Sequence, residues 1–171
     1  VKKKTKHYFF KLKNFSDKLT KYLESNHNLQ KDVKKYVQNW IKEGLTDWDI
    51  TRDISWGVPI PVDGEKEKVF YGWFDNHLAY ISSTIKFLND NGKDGKKFWN
   101  EADIYHFIGK DIVYHHFLFL PAMRLGIDEE YKLPDYIPTR GHLTLESKKI
   151  SKSRNWYIGL KDFLKIFPSD Y

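Results

Sequence analysis

Lysine and serine alternate in the stretch KKISKSR, at residues 148–154. Lysine ammonium groups can neutralise charge on a transferring phosphoryl group, and serine hydroxyls with backbone N–H groups can hold its oxygens. Runs of this composition are common on protein surfaces, so composition alone says little. Its place after a predicted strand and before a predicted helix favours an anion-binding loop.

A second candidate site lies at the end of a buried strand predicted over residues 104–108. Gly109 follows the strand, and Asp111 lies at the start of the next predicted helix. Open α/β sheets bind ligands at the carboxyl ends of their strands. Gly109 would let a ligand approach the backbone, and Asp111 could accept hydrogen bonds from ribose hydroxyls. Asp111 is an equally good helix N-cap, and the residues themselves leave both interpretations open.

Histidines and aromatic residues supply a third set of candidates. His115 and His116 are adjacent on a predicted helix, so they point to different faces and are not expected to bind one metal ion together. Trp73 and Tyr80 follow another predicted strand and could line a pocket for a small hydrophobic ligand. Hydrogen-bonded histidines and ordinary core packing are the simpler explanations of both groups.

Arg52 is the remaining charged candidate, in the sequence ITRDISWG. It could form ion pairs with the neighbouring carboxylates Asp49 and Asp53. It could instead hold an active-site carboxylate such as Asp111 in place. The sequence does not choose between these roles.

The elements that must position these residues alternate between strand and helix from residue 68 onwards. Strands are predicted over residues 68–74, 104–108 and 137–145, and helices over 76–88, 112–125 and 158–167. This order predicts an α/β fold with a parallel sheet and right-handed crossovers.

The N-terminal part has a different pattern. A strand is predicted over residues 6–12, followed by a helix that Asn14 or Ser16 could cap and that runs to Ser25. Apolar residues at helical spacing predict a second helix over 33–41, which Gly44 would end with a left-handed cap. Proline and glycine then predict a loop with short extended pieces over 46–64.

Charge is concentrated in the N-terminal segment. The chain carries a net charge of +6, with 29 Lys and Arg against 23 Asp and Glu. Residues 1–43 hold twelve lysines and four carboxylates, a local charge of +8. This segment could attract a phosphate backbone, or it could simply present solvated helix faces. The chain has no cysteine, which excludes disulfides and thiolate zinc ligands, and it has no apolar run near ~20 residues.

Taken in order, four segments resemble the methionyl-tRNA synthetases of class I. They are DWDITRDISWGVPIP (47–61), KVFYGWFD…AYIS (68–82), YHFIGKDIVYHH…PAMRLG (105–126) and LPDYIPTRGHLTLESKKISKSR (133–154). The resemblance implies the second half of a Rossmann-like nucleotide-binding fold with a parallel sheet, preceded by a small helical and strand segment. It implies that residues 1–45 close the connective insertion and that residues 46–171 form the second half of the catalytic domain.

The resemblance also implies roles for individual residues. KISKS at 149–153 matches the family's KMSKS loop, in which Lys149 and Lys152 would act catalytically by stabilising the ATP phosphates. The implied ATP-binding residues are Gly109, Asp111, Lys149, Ser151, Lys152 and Ser153, the implied methionine-binding residues are Trp73, Tyr80, Ile112 and His116, and Arg52 would support the site.

The expected activity is that of a cytoplasmic methionine–tRNA ligase, which uses methionine, tRNA(Met) and ATP with Mg²⁺ as substrate. The HIGH motif is absent from these residues, so the resemblance implies a separate N-terminal half of the catalytic domain as a partner, together with a C-terminal anticodon-binding domain. Zinc is expected only in the upstream insertion, and neither a metal ligand set nor a membrane partner is expected in this chain. On this view the chain alone has negligible activity.

Three residues depart from the family pattern. Asn76 and His77 stand where the family usually has Ala-Pro, and Leu120 replaces a tryptophan of the pocket. They leave open a catalytically silent paralogue that binds tRNA or a partner protein. The lysine-rich segment leaves open a third function, a general basic module that binds nucleic acid.

Overall fold

A computed structural model of the protein describes residues 4–65, 67–127 and 130–170. The chain folds into two compact units, one ending at Thr139 and the other beginning at Arg140. Within the first unit, the segment before residue 45 and the segment 108–137 contribute to one hydrophobic core. The expected boundary between residues 45 and 46 separates the end of the connective insertion from the catalytic domain. This boundary stays a prediction.

Two amphipathic helices build the N-terminal part: α1 (Ser16–Ser25) and α2 (Lys31–Glu43). Helical spacing places Leu19, Leu23 and Val37 on buried faces, and all three are fully buried. Gly44 ends α2 with a φ of 100° as predicted, although its ψ of 121° lies outside the left-handed helical region.

The predicted cap of α1 is wrong. Phe15 occupies the N-cap position, without a side-chain hydrogen bond to the helix. A 3₁₀ helix, Leu12–Phe15, runs directly into α1 and already supplies its first turn. Ser16 therefore lies inside the helix, where its hydroxyl donates to the Lys13 carbonyl at 2.8 Å.

Short antiparallel pairs frame the loop that was predicted over 46–64. Strand β1 (Phe9–Phe10) pairs with β2 (Trp48–Asp49), and β3 (Thr51–Arg52) pairs with β4 (Val69–Phe70). β1 and β4 are shorter than predicted, because the chain enters a 3₁₀ helix at Leu12 and an α-helix, α3 (Gly72–Asp75), soon after Phe70.

Helices follow this pair without an intervening strand. α3 continues through a 3₁₀ helix (Asn76–Leu78) into α4 (Ala79–Asp90), and α5 (Gly95–Glu101) packs against α4. A Cβ atom at Gly95 would lie 2.6 Å from the backbone of Ile85. Glycine is therefore required where α5 begins.

One pair of parallel strands gives the fold the α/β character that the sequence predicted. Strand β5 (Ile108–Gly109) is paired with β6 (Thr139–Arg140). The parallel direction begins earlier, at a bridge between Tyr105 and Tyr136. In the described residues the other three strand pairs are antiparallel, so the parallel sheet that the sequence predicted is limited here to two strands.

The helix predicted over 112–125 is divided into three segments. A 3₁₀ helix (Lys110–Ile112) is followed by a π-helix (His115–Phe119) and by α6 (Leu120–Leu125). Pro121 has no N–H group, so it cannot donate to the carbonyl four residues earlier. This missing donor accounts for the wider turn before α6, and π-helical turns are frequent at functional sites.

The second unit consists of a β-hairpin and a helix. Strands β7 (Thr144–Leu145) and β8 (Lys148–Lys149) are antiparallel, and α7 (Leu160–Ile166) follows. The hairpin loop, Glu146 and Ser147, has positive φ at both positions, as a type I′ turn requires. Within the described residues, no helix is long and apolar enough to cross a bilayer.

Candidate functional site

Tyr80 and His116 meet in the interior of the first unit. The ring nitrogen Nδ1 of His116 lies 3.0 Å from the Ile112 carbonyl, which can only accept, so Nδ1 carries the proton. Nε2 of a neutral His116 is then an acceptor, and the Tyr80 hydroxyl donates to it at 3.2 Å. Three of the four residues expected to bind methionine are thus directly connected.

The fourth, Trp73, joins this group through His77. Nδ1 of His77 donates to the Trp73 carbonyl at 2.7 Å. The His77 ring also lies edge-on to the rings of Tyr80 and His116, with centroid distances of 6.4 and 5.2 Å. His77 was noted in the sequence only as a departure from the family pattern, and its central place was not predicted.

Two further histidines complete a cluster of four. The ring of His115 stacks on that of His77 at 5.5 Å and packs 4.9 Å from Trp73. His106 lies 4.7 Å from the Tyr80 ring. The place of His106 in this cluster was not predicted, and its signal in the sequence was only a polar residue at a buried position of a predicted strand.

All four histidines are neutral near pH 7. Burial lowers the pKa of His77 to about 4 and that of His106 to about 3, with smaller contributions from the positive charges of neighbouring groups, Arg124 among them. Burial also lowers the pKa of His115 and of His116. The cluster therefore forms a polar but uncharged wall.

Trp73 and Tyr80 open onto different clefts. Trp73 borders a cleft of about 840 Å³, together with Trp56 and Tyr71. Tyr80 borders a smaller cleft of about 330 Å³, together with His106 and Thr84. Both rings are about two-fifths exposed, whereas His77 and His116 behind them are buried.

Leu120, the third departure from the family pattern, is fully buried at the start of α6. His116 lies one helical turn before it, in the π-helix. A leucine fills less volume than the tryptophan that the family has there, so the residue affects packing behind the pocket wall.

Gly109 and Asp111 lie together at the end of β5, as the sequence predicted. The side chain of Asp111 turns back over Gly109. A Cβ atom at Gly109 would lie only 2.6 Å from the carboxylate oxygen Oδ1 of Asp111. Asp111 belongs to the 3₁₀ helix and is not its N-cap, which is Gly109 itself. The alternative role as a plain N-cap is therefore wrong.

Arg52 forms the first of the two ion pairs considered for it. Its guanidinium lies 3.1 Å from Asp49 and stacks 3.7 Å over the ring of Tyr71. Asp53 instead pairs with the buried Lys68, at 2.5 Å. Arg52 thereby connects β3 with the residue that precedes α3.

The KISKS segment in the second unit begins inside the hairpin. Lys149 ends β8, and Lys152 opens a 3₁₀ helix (Lys152–Arg154). Both lysines are exposed, and the hydroxyls of Ser151 and Ser153 lie 3.1 Å apart. The loop therefore presents ammonium and hydroxyl groups together on a tight turn, as an anion-binding loop requires.

Trp156 holds this turn closed. Its backbone exchanges two hydrogen bonds with Ser151, of 2.8 and 2.9 Å, and its indole N–H donates to the Leu145 carbonyl at 3.2 Å. Asn155 takes a left-handed conformation, φ 51° and ψ 31°, to allow the reversal. The predicted anion-binding loop is thus an ordered turn closed against the hairpin.

A metal centre has no support in the described part of the chain. No three side chains among its histidines and carboxylates converge to hold an ion there. The rings of His77 and His116 pack face to edge, and the Nδ1 atoms of both are engaged by backbone carbonyls.

Comparison with known proteins assigns the chain to a family. The family model for class I tRNA synthetases (M) matches residues 1–171. The methionine–tRNA ligase of Methanopyrus kandleri is 49% identical over 170 residues, which cover 98% of this chain and 25% of that protein. The corresponding ligase of Methanocaldococcus jannaschii is 46% identical over 171 residues, with 99% and 25% coverage.

Solved structures agree with the sequence comparison. The Mycobacterium tuberculosis methionyl-tRNA synthetase bound by methionyl-adenylate superimposes with a TM-score of 0.76 at 28% identity, covering 93% of this chain and 30% of that one. The chain thus spans about a quarter of the length of its curated relatives. Its fold is that of a Rossmann-like class I synthetase, as the sequence predicted, and the chain belongs to the class I tRNA synthetases (M).

Proposed function

We propose that the chain is part of a methionine–tRNA ligase and contributes its methionine pocket and KMSKS-type loop. The observation that carries this proposal is the Tyr80–His116 hydrogen bond, which the ring of His77 connects to the Trp73 indole, because it places polar, uncharged groups among aromatic rings. A thioether is a weak hydrogen-bond acceptor in an otherwise apolar side chain. A neutral wall with a few polar atoms is suited to such a ligand, whereas a charged wall would need a counter-ion.

Methionine binding is assigned to Trp73, Tyr80, Ile112 and His116. Trp73 and Tyr80 are partly exposed, so their rings are available to a ligand. Ile112 supplies an apolar side chain and fixes the His116 tautomer through its carbonyl. The relative from M. tuberculosis binds methionyl-adenylate, which contains both methionine and the nucleotide part of ATP.

ATP-binding residues are assigned within each unit. Gly109 leaves room at the end of β5 for the carboxylate of Asp111, which can accept hydrogen bonds from ribose hydroxyls. In the second unit, Lys149 and Lys152 would neutralise the triphosphate, while Ser151 and Ser153 would donate to its oxygens. Mg²⁺ enters as part of the MgATP substrate. Arg52, through Asp49 and Tyr71, would hold the strand that precedes the pocket.

The proposed reaction has two steps. The methionine carboxylate attacks the α-phosphorus of ATP in line, and the bond to the pyrophosphate leaving group breaks. The hydroxyl of the terminal tRNA ribose then attacks the acyl carbon, and AMP leaves. No covalent enzyme intermediate is needed, so the residues act by positioning the substrates and by stabilising charge.

The remaining parts of the enzyme are proposals as well. The partners are tRNA(Met), an N-terminal half with the HIGH motif and its zinc-bearing insertion, and a C-terminal anticodon-binding domain. Residues 1–45 would close that insertion, and residues 46–171 would complete the catalytic domain. The role in protein synthesis places the enzyme in the cytoplasm.

The test is amino-acid-dependent exchange of pyrophosphate into ATP by the full-length protein. Methionine is expected to support exchange and the other proteinogenic amino acids are not, and the enzyme should charge tRNA(Met). A full-length protein without methionine-dependent exchange would favour a silent paralogue and overturn the proposal. The 171-residue chain alone is the matched control and should show no exchange.

A further inference from the structure

His77 contacts Trp73 and Tyr80, two residues assigned to methionine, and does not face solvent. It is 2% exposed, whereas Trp73 and Tyr80 are 40% and 42% exposed. Its ring contacts Trp73, Tyr80, His115 and His116, with centroid distances between 5.2 and 6.4 Å. His77 therefore packs behind the rings that a ligand would touch.

The hydrogen bond to Trp73 fixes both partners. The Trp73 carbonyl belongs to α3, a single helical turn, and the end of such a helix leaves carbonyls without an intrahelical donor. His77 supplies a donor at 2.7 Å and is thereby held in the tautomer protonated on Nδ1. The same ring then stacks on His115 with an interplanar angle of 13°, and His115 packs against the Trp73 indole.

Loss of the donor would affect the indole directly. Without it, the Trp73 carbonyl would be left unpaired or would have to turn towards water, which moves the backbone that carries the side chain. The indole would then shift relative to Tyr80, whose own hydroxyl is tied to His116. A shift of this kind changes the shape of the cleft of about 840 Å³ that Trp73 borders.

We propose that His77 is a positioning residue that sets selectivity for the methionine side chain, by holding Trp73 through its Nδ1–H group. The inference rests on the proposed function. It extends that function to a buried residue that does not itself need to touch the substrate.

The test compares two substitutions of nearly equal size in the full-length enzyme, His77→Asn and His77→Leu. The side-chain amide of asparagine can replace the Nδ1–H donor, and leucine cannot, while both lose the imidazole ring. His77→Leu is expected to raise the methionine KM about tenfold and to weaken discrimination against leucine. His77→Asn should stay within about threefold of the wild type. The ATP KM should not change in either variant, and exposed His27→Asn is the surface control.

Equal methionine KM values for the two variants would overturn the inference. It would be overturned equally if both variants lost kcat and thermal stability in parallel while the methionine KM stayed at the wild-type value, since that result describes an ordinary core residue. If His77→Leu does not fold, His77→Phe takes its place, because phenylalanine keeps a ring but has no donor. Failure of the proposed function is separate, because the wild-type enzyme would then show no methionine-dependent exchange at all.

Discussion

The hydroxyl of Tyr80 lies 3.2 Å from Nε2 of His116, a residue 36 positions further along the chain. This hydrogen bond joins α4 to the π-helix, and the Tyr80 hydroxyl is its donor while His116 is neutral. Both residues also contact His77. Removal of either polar group is therefore expected to change the methionine KM more than the ATP KM.

Tyr80→Phe removes only the hydroxyl. A neutral hydrogen bond contributes about 0.5–1.5 kcal/mol, so the methionine KM of the full-length enzyme should rise roughly three- to tenfold. The ATP KM should remain unchanged in the same exchange assay. Tyr36→Phe is the matched control, because Tyr36 is exposed on α2. A wild-type methionine KM in Tyr80→Phe would argue against this pocket.

Lys152→Ala tests the phosphate role of the KISKS loop. Loss of a charge that stabilises the transition state typically lowers kcat by about a hundredfold or more, and we expect this for pyrophosphate exchange. Lys149→Ala should act in the same direction. Lys161→Ala, an exposed lysine on α7 of the same unit, is the control for lost charge. If Lys152→Ala and Lys161→Ala had the same kcat, the loop would not serve the phosphates.

The histidine cluster predicts how stability depends on pH. The pKa of His77 is lowered to about 4 and that of His106 to about 3, from an ordinary value of 6.5. Below pH 6.5 the unfolded chain binds protons that the folded chain does not, so the free energy of unfolding should fall as the pH drops from 6.5 towards 4. Above pH 6.5 this contribution is constant.

Urea unfolding between pH 4.5 and pH 7.5, followed by a spectroscopic signal of the first unit, measures how the free energy of unfolding changes with pH. Replacing His106 by Asn should reduce the slope of the free energy of unfolding against pH by up to about 1.4 kcal/mol per pH unit, the value for one proton. Replacing exposed His27 by Asn should leave it as in the wild type. A slope that does not change in the His106 variant would mean that this ring is protonated in the folded protein.

The ion pair of Asp53 and Lys68 predicts a non-additive effect on stability. Lys68 is buried, and its ammonium group lies 2.5 Å from Asp53, which also bonds Thr5. Lys68→Met and Asp53→Asn should each lower the melting temperature by a few degrees, because each leaves a partner unpaired. The double variant should lose less than the two single losses combined.

The exposed pair of Lys86 and Asp90, 2.8 Å apart on α4, is the control for this cycle. Exposed pairs of this kind contribute little, so Lys86→Met should leave the melting temperature almost unchanged. Strictly additive losses for Asp53 and Lys68 would show that the two side chains act independently.

Several local features of the fold could be predicted from short-range sequence patterns. The apolar stripe of α2 and its terminal Gly44 predicted a helix within two residues of the observed bounds. The order of a strand, Gly109 and Asp111 predicted that glycine and carboxylate would lie together. These features depend on neighbours within one or two turns, and such neighbours are fixed by backbone geometry.

Strand lengths were not predictable in the same way. Residues 68–74 alternate like a strand, yet β4 spans only Val69 and Phe70, because α3 begins at Gly72. The division of the helix after Lys110 also depends on Pro121 and on the packing around it.

The sequence by itself determined the family, the KISKS turn chemistry and the aromatic character of the candidate pocket, since these follow from residue types in a fixed order. Only the tertiary structure decided that His77 and His106 join His115 and His116 in one cluster. Their ring contacts link the 3₁₀ helix before α4, the segment before β5 and the π-helix, and distances between separate elements are set by side-chain packing in the core. The same packing removes the four rings from water and keeps them uncharged.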